Sequence, residues 1–308
     1  MNAIDRESQL PLQMNLPKMA PDWHTDAFET TAKKRAIVLS APEVYAEVSV
    51  LGQEKTKYSW RKLIILTFMA GSYVGLGGAT GILLAGSMNQ APSNPDKTKV
   101  NVGVFRLVYG VFSLPLGFLA IVNAGADLFT SMCLYMTTAW WDKKITLLQL
   151  LRIWVVSWIG NFAGCITIAG FYTLSGLFNG NLYLEYAALH RVELPWEQVF
   201  VRGIFANFLV CITTWMANAA LDFTGKVFAT WLPISAISFC SYEHSVANMF
   251  YLMMALFQGV PLTAKQILWN NIIPSTLGNI VGGAIFFASV YSFAYNKPDL
   301  RMTKDRFL

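Results

Sequence analysis

The chain has 308 residues, 55% of them hydrophobic and only 13% charged, with a formal net charge of +5. A soluble domain of ordinary composition carries nearly twice that charge, so a water-soluble globular protein is excluded and an integral membrane chain is expected. The positive balance follows from topology, as argued below, and makes no case for nucleic-acid binding.

Residues 1–60 are polar, mixed and dotted with Pro11, Pro17, Pro21 and Pro42. They read as a cytoplasmic tail with no cleavable apolar leader. Apolar runs then start near Leu63, Val104, Leu147, Val199, Val227 and Ile267. Each reaches the roughly 20 residues that cross a hydrocarbon core of about 30 Å. The expected organisation is a tail over 1–60, a six-helix domain over 61–295 and a second cytoplasmic tail over 296–308. Seventeen of the 23 basic residues fall on the tails and even-numbered loops. By the positive-inside tendency, both termini are cytoplasmic, which requires an even number of crossings.

Span one carries Gly71, Gly75, Gly77, Gly78 and Gly81. The spacing imitates a dinucleotide-binding loop, but no strand precedes it. Inside an apolar helix, small residues let neighbouring helices approach. Span two runs apolar from Val100 to Trp141, and as one helix at about 1.5 Å per residue it would be about twice as long as the core is thick. A break is needed. Pro115 and the stretch Asn123 to Asp127 supply breaker and capping chemistry, with the Asp127 side chain able to accept from the first amides of a second half-helix.

Gly160-Asn161-Phe162-Ala163-Gly164 in span three recurs 118 positions later as Gly278-Asn279-Ile280-Val281-Gly282 in span six. Asp127 to Met132 has a looser partner, offset by 116, in Glu243 to Met249. Three crossings separate corresponding points, so the halves enter the bilayer from opposite sides as an inverted repeat. Such repeats put the solute site near the midplane, between discontinuous helices. Span five fits: Phe228 to Phe257 is too long for one crossing and is interrupted by Ser241-Tyr242-Glu243-His244. Glu243 reads as the cap of its second half, and the two breaks are expected to face each other. An ionisable group such as His244 at membrane depth marks a transport path, whereas His24 and His190 lie in polar segments where solvation is the default. Cys133, Cys165, Cys211 and Cys240 lack metal-ligand spacing and read as core thiols. Trp60, Trp140, Trp141, Trp196, Trp231 and Trp269 read as an interfacial belt.

Gly125-Ala126-Asp127-Leu128-Phe129-Thr130-Ser131, Gly203-x-x-Ala206-Asn207-Phe208-Leu209-Val210-Cys211, Glu243-His244-x-x-Ala247-Asn248-Met249 and the two Gly-Asn-x-x-Gly segments occur in this order. Together with Lys55 and Gly71 to Gly81, the pattern resembles the formate/nitrite transporter family, and its formate/lactate-type members in protists. The resemblance implies an aquaporin-like, all-α six-helix protomer with broken helices two and five. It also implies a homopentamer with one pathway per protomer and small weak-acid anions as cargo, without a cofactor or bound metal. His244 corresponds to the family's central histidine and Thr130 to the threonine that hydrogen-bonds it. Leu128 and Phe129 fall at an apolar constriction, with Ser131 where many members have glycine. Asn248 joins the transport path, and Phe118 and Ile237 are added by spacing. Of the two basic residues at the vestibule mouths, Lys55 matches one, and Arg191 stands where the other is usually lysine. Glu243 before the histidine argues against the hydrosulfide branch.

A carboxylate crossing an apolar constriction meets a penalty of about 2.5 to 3.5 kcal/mol or more. Raising the pKa of an acid from about 3.9 by three units corresponds to about 4 kcal/mol, so crossing as the neutral acid competes with crossing as the anion. The expected function is proton-coupled transport of formate, lactate or related weak acids across the plasma membrane. His244 is expected to act as a polar waypoint rather than as the direct donor. A nitrite-preferring transporter or an anion channel of the same fold is the alternative. A neutral-solute channel is disfavoured by Ala247-Asn248-Met249 where an Asn-Pro-Ala box would stand. A membrane-embedded enzyme is disfavoured because no nucleophile and base pair up.

Overall fold

The second apolar run descends in three pieces in the computed structural model: helices Val102–Phe112 and Leu114–Ala124, then Phe129–Trp141. The structure describes residues 37–89 and 102–296. His24, Lys97, Lys99 and the basic residues from Lys297 onward therefore lie outside the described residues. The first discontinuity is at Ser113, whose backbone is non-helical (φ −95°, ψ −107°). Pro115 sits in the first turn of the following helix, where its missing N–H leaves no hydrogen bond unmade. The second discontinuity begins at Gly125, in the left-handed region at φ 69°, a conformation glycine adopts without a Cβ clash. The amides of Gly125 and Ala126 both return to the Ile121 carbonyl, closing the helix end.

Span five repeats this construction 116 positions later. Phe223–Phe239 ends, Ser241 takes the left-handed conformation at φ 56°, and the Tyr242 amide bonds the Ile237 carbonyl at 3.0 Å as Ala126 bonds Ile121. The second half-helix, Ser245–Phe257, follows. Span one is Trp60–Asn89, span three Leu147–Ser175 and span four Trp196–Ala219. Span six covers Gln266–Tyr295, with π-helical stretches over Gln266–Ile272 and Val281–Ser289. Five of these helical segments are long and apolar enough to cross a membrane. The fifth crossing is assembled from halves of 17 and 13 residues, neither sufficient alone. Local signals fix the starts: Thr146 and Gln149 form a reciprocal capping box on span three, and Asp222 Oδ1 accepts the Gly225 amide at the head of span five.

Glycines set the packing. A Cβ on Gly164 would strike the Phe68 carbonyl of span one, and one on Gly282 would strike the Ile204 carbonyl of span four. Phe68 and Ile204 are 136 positions apart and occupy equivalent places, so each Gly-Asn-x-x-Gly segment seats its helix on the first span of its own half. Where lipid is as apolar as the side chains, such close backbone approach drives helix association. The Gly71 to Gly81 stretch is likewise a packing surface inside a helix; a Cβ on Gly71 would collide with the Asn161 backbone.

Residues 41–56, part of the expected tail, form a helix, Ala41–Thr56, which belongs to the compact unit extending from Val38. The hydroxyls of Tyr45 and Ser49 donate to the Asp142 carboxylate at the end of span two, and Gly52 lies against the Tyr135 carbonyl. This packing carries Lys55 to the mouth of the protomer. Three cysteines are buried as expected, but Cys240 is exposed at the end of the Phe223–Phe239 half-helix. Of the six tryptophans expected in the interfacial belt, Trp60, Trp140, Trp231 and Trp269 are exposed. Trp231 also donates to the Val111 carbonyl and so braces the first half of span five against span two.

Candidate transport pathway

Two buried asparagines hold the breaks open. Asn161 Oδ1 accepts the Phe129 amide at 2.8 Å, and its Nδ2 donates to the carbonyls of Thr67 and Asp127. Asn279 Oδ1 accepts the Ser245 amide at 2.9 Å, and its Nδ2 donates to the carbonyls of Gly203 and Glu243. Each side chain thus satisfies one amide and one carbonyl that a broken helix leaves without intrahelical partners, which lipid could not do, and ties the break to a carbonyl of the adjoining span.

The capping residues differ from the sequence expectation. Asp127 and Glu243 do not cap the second half-helices. The N-cap positions are Leu128 and His244, which correspond in the repeat. Leu128 makes no side-chain cap bond, whereas His244 Nδ1 accepts the Ala247 amide at 3.0 Å. The carboxylates instead turn toward basic groups and amides. Asp127 Oδ1 lies 2.6 Å from Lys55 Nζ, and its Oδ2 has no hydrogen-bond partner. Glu243 Oε2 accepts from the side-chain amides of Asn248 and Asn271.

With Nδ1 occupied as an acceptor, the neutral imidazole of His244 carries its proton on Nε2, which is 3.0 Å from Thr130 Oγ1. His244 therefore donates to Thr130. The threonine's own hydroxyl hydrogen is left for another acceptor. Beside this pair is a cavity of about 10 Å³, lined by Val74, Leu114, Phe118, Leu128, Val210, Ile234, Ile237 and His244, at the lower limit for one water. Three pairs of lining residues correspond in the repeat: Val74 with Val210, Phe118 with Ile234, and Leu128 with His244. The cavity thus lies where the two halves meet, and its one polar wall is the histidine.

A basic group stands on either side. Lys55 is 12% exposed at its side chain and lies 5.2 Å from the centroid of the Tyr135 ring. Burial would lower the pKa of its amine, but the Asp127 carboxylate and Tyr135 outweigh it, and the amine is held above its ordinary value. Arg191, on the helix Leu182–Glu193, has its guanidinium 4.6 Å from the centroid of the Tyr251 ring. Burial acts first to lower its value; nearby tyrosines and Glu243 more than reverse this. Arg191 Nε donates to Asn248 Oδ1, and Asn248 Nδ2 donates to Glu243 Oε2. Lys55 and Arg191, Asp127 and Glu243, and Tyr135 and Tyr251 are equivalent pairs. The direct bond in one half becomes a bridged one in the other because Asn248 stands where the first half has Met132.

The structure thus gathers His244, Thr130, Leu128, Phe118 and Ile237 at one locus, with Lys55, Asp127, Arg191, Glu243 and Asn248 flanking it. Phe129 is buried but does not line the cavity. Ser131 is also away from it, with its Oγ 3.0 Å from Thr214 Oγ1 on span four. Val74, Leu114, Ile234 and Asn271 were not singled out from sequence, and Val210 entered only as part of the Gly203 to Cys211 motif. Val74 and Ile234 follow once the repeat is aligned on Val210 and Phe118, but Asn271 has no local signal. His190 stacks on Tyr186, with ring centroids 5.8 Å apart.

A six-crossing, all-α protomer with an inverted repeat, two facing broken helices and an apolar cavity between them has the architecture of a membrane transporter or channel. The model of the formate/nitrite transporter family matches residues 42–293, and the chain belongs to that family. It is 35% identical over 267 residues to a probable formate transporter of Methanothermobacter thermautotrophicus, covering 81% of this chain and 94% of that one. It is 34% identical over 263 residues to formate-nitrite transporter 3 of Toxoplasma gondii, covering 84% of this chain but 52% of that one; the chain spans about half that relative's length. Among solved structures, a channel of the same family superposes with a TM-score of 0.71 at 27% identity, over 82% of this chain and 98% of that one. A pentameric formate channel with formate bound superposes with a TM-score of 0.63 at 26% identity, over 77% and 98%.

Proposed function

We propose that this protein carries small weak-acid anions, formate and lactate foremost, together with a proton, as a homopentamer in the plasma membrane with both termini cytoplasmic. The observation that carries the reading is the apolar cavity whose one polar wall is His244, bonded to Thr130. An anion drawn toward Lys55 or Arg191 leaves water beside a positive group. It then meets a passage that offers hydrogen bonds but no counter-charge. Desolvation there raises the pKa of the acid, and the neutral acid crosses at lower cost than the carboxylate. The His244 imidazole and the Thr130 hydroxyl replace water for one solute at a time. The relatives support the cargo class: one is named a probable formate transporter, another a formate-nitrite transporter, and one solved neighbour is a pentameric formate channel with formate bound.

Lys55 and Arg191 keep their protons, so neither is the source of the transported one. The acid takes its proton from water in the vestibule. The test is uptake of labelled formate, lactate and nitrite by proteoliposomes with and without a pH gradient. Saturable uptake stimulated by external acid is expected for at least one of the carboxylates. Nitrite uptake far above both would favour the nitrite reading, and glycerol flux indifferent to acid would overturn the scheme.

A further inference from the structure

A groove of about 270 Å³ opens at the head of span one, lined by Ser59, Arg61, Lys62, Ile65 and Leu66. Lys62 Nζ lies 3.6 Å from the centroid of the Tyr58 ring, and the Arg152 guanidinium of span three stands 5.7 Å from the centroid of the Trp60 ring. Among the described residues, none of these three cations has a carboxylate within ion-pairing distance; Glu54, Asp127 and Asp142 at this end are taken by Lys57, Lys55 and Lys144. The groove changes character along the helix. One turn beyond Arg61 and Lys62 its floor is Ile65 and Leu66, and Ile64 and Ile65 are exposed. Ser59 Oγ accepts the Lys62 amide, which leaves its hydroxyl hydrogen to donate. The occupant such a groove suits has a negatively charged, hydrogen-bond-accepting head and an apolar tail.

The repeat supplies the control. Aligning Lys55 with Arg191 matches Ser59, Arg61 and Lys62 with Pro195, Glu197 and Gln198 at the head of span four, while Trp60 and Trp196 coincide. In the register that relates spans three and six, Arg152 corresponds to Asn270. Arg152 Nη2 donates to the Thr56 carbonyl at 2.7 Å, and Asn270 Nδ2 donates to the equivalent Val192 carbonyl at 3.2 Å. A neutral side chain therefore makes the bond that the fold needs. Three cations at one end of the protomer have uncharged or acidic counterparts at the other, so helix packing does not account for them. A general bias places cations beside spans on one side of the membrane, but it does not ask Arg61 and Lys62 to line a groove with an apolar floor.

We propose that this groove binds one anionic phospholipid, with Ser59, Arg61 and Lys62 holding the phosphate and Ile65 and Leu66 lying against an acyl chain. The experiment is native mass spectrometry of the purified protein in neutral detergent, titrated with phosphatidylglycerol, phosphatidylcholine or inorganic phosphate. Each cation beside a charged headgroup is worth about fivefold in affinity, so wild type should prefer phosphatidylglycerol to phosphatidylcholine by about 25-fold. Arg61→Gln and Lys62→Gln should each lower that preference about fivefold, and the double variant should abolish it. Lys143→Gln, which removes an exposed cation at the end of span two, should leave it unchanged. Inorganic phosphate, which has no tail, should not displace the lipid. No preference in wild type, a preference that survives in the double variant, or an equal loss in Lys143→Gln overturns the site. Displacement by inorganic phosphate would make it a site for the free ion and overturns the lipid. A double variant whose assembly changes size before any lipid is added would make the groove a contact between copies of this chain, and also overturns it. Formate uptake or its failure leaves the lipid site untouched.

Discussion

His244 donates from Nε2 to Thr130 Oγ1 because its other nitrogen is held from behind by the Ala247 amide. The arrangement bears on the proton. A neutral imidazole that gave up its Nε2 proton would become imidazolate, far outside the ordinary range. An imidazolium would put an Nδ1–H against the Ala247 N–H and break the cap of a half-helix. Both routes are costly, so the geometry favours a histidine that passes hydrogen bonds to a solute without supplying the transported proton.

Substituting His244→Asn separates these roles. An asparagine Oδ1 can accept the Ala247 amide as His244 Nδ1 does, so the half-helix and the fold should persist. The bond to Thr130 is lost, and with it about 1 to 2 kcal/mol of solute stabilisation, a fall of about five- to thirtyfold in uptake rate. Acid stimulation of the remaining uptake should survive, read as the ratio of rates at acid and neutral external pH. A folded variant whose uptake no longer responds to acid would make His244 the donor.

Asn161→Ala and Asn279→Ala should each destabilise the protomer, and by similar amounts. Each asparagine satisfies one amide and one carbonyl at a break and also bonds a carbonyl of the adjoining span, and leaving the groups at the break unpaired costs at least about 2 kcal/mol in total. Thermal unfolding of the purified protein measures it. A melting temperature unchanged in either variant would contradict the proposed role of the asparagines in bracing the breaks.

Gly125 and Ser241 occupy the same left-handed position in the two halves, at φ 69° and 56°, which predicts opposite signs. Gly125→Ala introduces a Cβ where it is strained, at a cost of about 1 to 2 kcal/mol, and Ser241→Gly relieves strain of similar size. The gain is partly offset by the extra freedom of glycine in the unfolded chain, leaving about 0.5 to 1 kcal/mol. The same melting experiment decides, and a loss of stability in Ser241→Gly would be the contrary result.

Lys55 gives a pH dependence. Its amine sits above its ordinary value in the folded protein, so its contribution is fully present below the unfolded value of about 10.4 and is lost as pH rises through the folded one. The difference in melting temperature between wild type and Lys55→Met should be flat from about pH 6 to about pH 9 and shrink only above about pH 10.5. Shrinkage near neutral pH would contradict an amine held above its ordinary value.

The repeat was legible because its markers have narrow physical roles. Glycine where backbones touch and asparagine where broken helices need both a donor and an acceptor tolerate few replacements, so Gly160-Asn161 and Gly278-Asn279 stand out. The long runs of spans two and five forced breaks by length alone. The caps were misread because an acidic residue beside a break is good capping chemistry locally. What turned Asp127 away was Lys55, 72 positions earlier in sequence, on a helix that the polar composition of residues 1–60 concealed. Ser131 was tied to the constriction by the resemblance, but one face of a helix away from Thr130 it meets Thr214 instead. Asn271 lies within a π-helical stretch, whose register no α-helical periodicity reveals.

The most direct test of passage as the neutral acid is the charge moved per formate in planar bilayers containing the purified protein, with chloride as comparison. Electroneutral formate flux, insensitive to applied voltage and accompanied by acidification of the receiving side, is the expected result, with chloride excluded. A formate current that reverses at the equilibrium potential of the anion, with chloride passing as readily, would contradict it.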